Sequence, residues 1–234
     1  MCKTETKTLF HEDLLLDTHF AYSLPTKGIK NVGSALYNGV IHALVDLVLI
    51  KPQEIEPILY RLAADNHIAA QTLLFHAFIA NPKYFATWAV GLILEGGNRL
   101  KSGYLSEPYW ISREVVRAVA PYISDENHEL LECKLRDLHN PYEREAYRES
   151  YKNKQQRECK PLPGCTAFKF LSALDRGRLS PLGIRRLAEY ERKFSSEVLS
   201  PPTGITGGVV GPPVRLEAAA KMSDQQWFLA MKKY

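Results

Sequence analysis

Asn38, His42 and Asp46 recur every fourth residue through an otherwise apolar stretch, so a helix would project all three from one face. An imidazole and a carboxylate so placed could serve a metal site or a His–Asp proton-transfer pair. No third ligand lies nearby in the sequence, and a narrow polar stripe on a nearly buried helix accounts for the spacing equally well. The stripe is read as structural. His67 and His76 are nine residues apart, which puts them on opposite sides of one helix, so they cannot share a ligand. Cys165 follows Pro163-Gly164 and is placed at a helix N-terminus, where the dipole lowers a thiol pKa. No histidine partner is visible for it, so it is read as a small, part-buried side chain.

Phosphate chemistry fares no better. Gly204 to Gly211 lacks the closing Lys-Ser/Thr of a P-loop, and Gly96 to Ser102 ends in Lys-Ser but has no glycine before the lysine and no strand leading in. HExxH, GxSxG and paired-glycine dinucleotide patterns are absent from the sequence. No catalytic residue, metal ligand or cofactor site is assigned. One binding pattern remains: over 142–158, Arg144, Arg148, Lys152, Lys154 and Arg157 interleave with Tyr147 and Tyr151. Cations for phosphate and rings for stacking are what a nucleic-acid surface uses. Glu145 and Glu149 neutralise part of that charge at i, i+3, so a solvated face is the preferred reading.

The elements that must carry these residues are helices. Asn81-Pro82, Asn140-Pro141 and Ser180-Pro181 each set a capping side chain before a proline at the first helical position. Helical spacing groups Leu36, Val40, Leu44, Leu47 and Val48; then Ile55, Leu59, Leu62 and Ala63; then Ile68, Leu73, Leu74, Ala77 and Phe78; then Phe85, Trp88, Ala89, Leu92 and Ile93. Further helices fall near 110–120, 125–138, 142–158, 166–174 and 182–194, with a short extended piece allowed at 207–210. Prolines 52, 82, 108, 141 and 181 start helices at intervals of 30, 26, 33 and 40 residues, the scale of an irregular two-helix repeat. The expected fold is all-α, an irregular stack of helical hairpins (a degenerate α-solenoid) with a Pro/Gly-rich connector before the C-terminal helices. The expected divisions are an extension at 1–33, the array at 34–199, the connector at 200–213 and C-terminal helices at 214–234. Ser223 to Gln226 forms a Ser-x-x-Gln capping box, and Trp227, Phe228 and Met231 follow it.

With 45% hydrophobic residues over 234 positions, the chain can bury a substantial core. The net charge of +4 is too mild to argue for nucleic acid, although 141–193 holds 13 Lys/Arg against 7 Asp/Glu. Four cysteines without C-x-x-C spacing and a polar N-terminus point to a reducing cytoplasm. The longest apolar run, 35–50, is too short and too interrupted to span a membrane.

Several patches together resemble a known family: Leu62 to His67 with Ala70 to Leu74; Arg99-Leu100 with Gly103-Tyr104, Trp110 and Arg113-Glu114; Leu187 to Phe194; and Ala220 to Trp227 with Lys233-Tyr234. They are similar to the helical-repeat region of large prokaryotic STAND/NACHT-type ATP-binding proteins associated with antiphage defence. The resemblance implies a fragment or stand-alone relative of the array that recognises a foreign protein. The ATPase activity is not implied, because the P-loop is missing. The expected function is non-enzymatic protein binding, with a phage protein or the rest of a larger ATPase as partner and Trp110, Arg113, Tyr190 and Trp227 as exposed contacts. The alternatives are a nucleic-acid-binding helical protein using the basic region 144–193, and an enzyme whose site is invisible in sequence.

Overall fold

The computed structural model describes residues 32–95, 97–104, 107–138, 140, 143–145, 148, 163–194, 199–201 and 221–233. Every regular element among them is helical: α1 Val32–Ile50, α2 Pro52–Ala64, α3 Ile68–Ala80, α4 Pro82–Glu95, α5 Trp110–Val119, α6 Asp125–Arg136, α7 Cys165–Leu171, α8 Pro181–Lys193 and α9 Asp224–Lys233. Short 3-10 turns at Gly97–Lys101, Ala120–Tyr122 and Arg176–Arg178 link them. The all-α expectation holds. The piece at 207–210 and most of the 142–158 helix lie outside the described residues.

The chain divides into two compact units, Met1–Pro202 and Thr203–Tyr234. In the first, the principal packings join each helix to its neighbour or to the next but one. That is the contact pattern of stacked hairpins, with α1, α3, α5 and α7 forming one row and α4, α6 and α8 the other. The helix α3 lies deepest. Its Leu74, Phe75, Ala77 and Phe78 are wholly enclosed, which explains why its sequence is apolar on all sides. Burial of each large side chain there contributes about 1.5–3 kcal/mol.

Pro52, Pro82 and Pro181 open their helices as expected, whereas α5 opens at Trp110, two residues after Pro108. Ser180 Oγ accepts the Gly183 N–H at 3.1 Å, and Pro181 follows it at the first helical position. In the second unit both arms of the capping box form: Ser223 Oγ accepts the Gln226 N–H at 3.4 Å, and Gln226 Oε1 accepts the Ser223 N–H at 3.0 Å. Ahead of α4, the Asn81 side-chain amide instead donates to the Val48 carbonyl at the end of α1, 3.1 Å away.

One face assignment changes. Tyr37, Ile41, Leu44 and Val48 form the buried side of α1, whereas Leu36, Val40 and Leu47 point to solvent. The helix is apolar on two sides, so spacing alone could not choose which one meets the core.

Candidate interaction surface

Several polar and basic side chains of this stack, most of them partly buried, close helix ends. Carbonyls at a helix C-terminus lack intrahelical partners, and here an element two helices further along the chain supplies the donor. Asn81, just past α3, reaches the end of α1. Arg99, past α4, donates to the Ala63 carbonyl of α2 at 3.0 Å and to Gln71 Oε1 at 2.7 Å. Gln71 in turn donates to the Leu62 carbonyl at 3.0 Å. Lys134 of α6 caps Leu94 of α4, and Arg178, past α7, holds the Ala120 and Ile123 carbonyls beyond α5 at 2.8 and 2.9 Å.

Two carboxylates do the complementary job at N-termini, where orphan N–H groups and the dipole favour negative charge. Glu143 accepts the N–H groups of Gly164 and Thr166, both at 2.7 Å, at the start of α7. Glu132, 1% exposed, accepts the Ser180 N–H at 2.7 Å and the Ser180 hydroxyl at the start of α8. Gly183 makes this possible, because a Cβ there would stand 2.3 Å from Glu132 Oε1. Neither carboxylate stood out in sequence. The available signal was a glycine at each helix start, Gly164 as the N-cap at φ 93° and Gly183 within the first turn.

The candidates for chemistry fall into this frame. Cys165 does begin α7, but burial, reinforced by the Glu143 carboxylate, pushes its thiol up to about 11, so the expected dipole lowering is overridden. His67 is exposed and faces Asp65, with Nδ1 and Oδ1 2.8 Å apart. His76 is instead half-buried, its Nε2 enclosed and unpartnered, and burial together with nearby His42 drives its pKa down to about 4. Asn38 Oδ1 is likewise enclosed without a partner, while His42 and Asp46 are exposed. Among the described residues no group of three or more His, Cys, Asp or Glu could hold a metal ion. No described helix is long and apolar enough to cross a membrane.

The expected contact residues are largely engaged within the stack. Arg113 is 2% exposed, so as an exposed contact it is corrected: its guanidinium donates to the Leu199 carbonyl at 3.1 Å and lies 4.9 Å from the Trp110 ring centroid. Trp110 and Tyr190 are half-buried, Tyr190 packing with Phe168 and Phe194. The Trp227 side chain lies outside the described residues, but Phe228 and Leu229 beside it are exposed. Of the basic candidates, Arg144 and Arg148 are exposed, whereas Lys152, Lys154 and Arg157 lie outside the described residues.

Two exposed apolar features went unread in the sequence. Val32, Leu36, Val40, Leu47 and Ile50 on the outer side of α1 are 75, 66, 51, 44 and 74% exposed, one stripe along the whole helix. Across α2 and α4, exposed Tyr60 lies 4.5 Å from the Trp88 ring, and exposed Tyr84 donates to Glu56 at 2.6 Å.

No family model, curated protein or solved structure matches this chain. Its surface must therefore be read on its own terms. Interfaces favour aromatics and continuous apolar patches; α1 presents the patch, and α2 with α4 the aromatics.

Proposed function

We propose that this chain is a non-enzymatic helical stack that binds another protein, and that it is a fragment or relative of the recognition array of STAND/NACHT-type antiphage proteins. The observation that carries the binding reading is the outer stripe of α1. Five large aliphatic residues exposed along one helix form a surface that monomeric proteins rarely leave uncovered. The engagement of Arg99, Lys134, Arg178, Glu132 and Glu143 at helix ends fits the same reading. The proposal includes a cytoplasmic setting, in keeping with Cys133 and Cys165 forming no disulfide.

The nucleic-acid alternative gains less. On α8, Arg185 and Arg186 both pair with Glu189, and Arg176 pairs with Glu191, so much of the basic region is neutralised locally.

The test is affinity capture from cells that produce the chain, comparing the wild type with Leu36→Glu/Leu47→Glu. Both positions are exposed, so the fold should persist, and helical circular dichroism checks that it does. A partner captured by the wild type and lost by the variant supports the reading. Identical capture by both removes the α1 stripe from it.

A further inference from the structure

We infer that the occupant of the α1 stripe is a second copy of this chain, the two α1 helices lying antiparallel about a two-fold axis. This inference rests on the protein-binding reading and names the partner. Among the exposed residues of α1, Gly33, Leu36, Val40, Ala43, Leu47 and Ile50 recur at intervals of 3, 4, 3, 4 and 3 residues, with Val32, Gly39, His42, Asp46 and Leu49 exposed beside them. That is the repeat of a seam which packs another helix side by side along its length. A 19-residue helix is about 28 Å long, and the seam occupies nearly all of it.

The seam is also a palindrome. A two-fold interface must present a patch that complements itself, so that if residue i meets j then j meets i. Reversing the seam about its own centre, between Ile41 and His42, sets Gly33 opposite Ile50, Leu36 opposite Leu47 and Val40 opposite Ala43. In the outer and inner pairs a large residue faces a smaller one, as interdigitating layers require. Parallel alignment would instead set Gly33 on Gly33 and Ala43 on Ala43, leaving gaps that cost packing.

Electrostatics allow the same partner. Asp46 is the one Asp, Glu, Lys or Arg in α1, so the face carries neither the like charges that would repel its own copy nor a field that would select a charged partner. Covering the stripe on both copies would bury on the order of 1,000 Å², the lower bound for a specific pair. An interface at that lower bound is expected to be a weak, reversible one. The opposite side of α1, carrying Tyr37, Ile41, Leu44 and Val48, stays in its own stack, so pairing needs no rearrangement.

Sedimentation equilibrium of the full chain from about 1 to several hundred µM tests this. The wild type should pass from monomer to dimer, while Leu36→Glu/Leu47→Glu and Leu36→Lys/Leu47→Lys should each associate about a hundredfold more weakly or worse. Mixing the two variants in equal amounts should restore a dimer, because each Glu then faces a Lys across the axis. A wild type that stays monomeric throughout, or a dimer indifferent to both variants, overturns the inference. If the wild type is monomeric yet the Glu variant still loses its captured partner, self-pairing fails and protein binding stands. A monomeric wild type whose Glu variant captures as well as it does ends self-pairing and removes the α1 stripe from the binding reading.

Discussion

Replacing Gly183 with alanine tests the carboxylate clamp on α8 through the sign of its effect. In the first turn of an ordinary exposed helix the change would stabilise by up to about 1 kcal/mol, because glycine is the poorer helix former. Here the new Cβ would lie 2.3 Å from Oε1 and 2.7 Å from Cδ of Glu132, so the carboxylate must withdraw. Withdrawal breaks its bonds to the Ser180 N–H and hydroxyl, in a place where Glu132 is 1% exposed and water cannot replace them. Two hydrogen bonds to a charged group at about 1.5 kcal/mol each come to about 3 kcal/mol. Offset by the helix-propensity gain, Gly183→Ala should destabilise by about 2 kcal/mol and lower the melting temperature by about 4–8 °C. The assay is urea and thermal unfolding of four proteins: the wild type, Gly183→Ala, Glu132→Ala and the double variant. With Glu132 removed the clash disappears, and Gly183→Ala should become neutral or stabilising. A Gly183→Ala protein more stable than the wild type in the unaltered background would refute the clamp.

His76 makes stability depend on pH. Its folded pKa of about 4 lies below the ordinary 6.5, so the fold favours neutral imidazole and the unfolded chain takes up the proton first. The contribution is complete above pH 6.5 and is lost as the pH falls through 4. It amounts to about 3 kcal/mol over that window, and His76→Leu should flatten this part of the stability profile in a urea series at fixed pH values. Arg99→Ala would leave Gln71 Oε1 without a donor and the Ala63 carbonyl with only the long 3.5 Å bond from Gln71 Nε2, costing about 2 kcal/mol, with Arg99→Lys intermediate; thermal unfolding reads this directly. At pH 8 the Cys165 thiol, at about 11, is ionised in roughly one molecule in a thousand, so iodoacetamide should label it at least about a hundredfold more slowly in the folded chain than in urea, as followed by peptide mass spectrometry.

The helices were legible because their starts are written locally. Ser180-Pro181 and the Ser223–Gln226 box carry their own capping partners within three residues, and both formed as expected. Partners supplied from a distance left no such trace. Arg113 has the composition of an interface residue, and only its approach to Leu199, 86 positions away, turns it inward. Glu132 reaches Ser180 across 48 positions, and Arg178 reaches Ala120 across 58. The outer face of α1 was hidden for a different reason. Its residues follow helical spacing as faithfully as the buried ones, and the difference lies in what the rest of the stack leaves uncovered.

Closure of a helix end by an element two helices later also sets a timetable during synthesis. The donors follow the carbonyls they seal by 33 residues for Val48, 36 for Ala63, 40 for Leu94 and 58 for Ala120. At a translation rate of about 5–20 residues per second, each end would wait roughly 2–12 seconds for its donor to be made. The ribosome would thus release a series of half-finished helices, each secured only when later chain arrives, and Ala120 would wait longest.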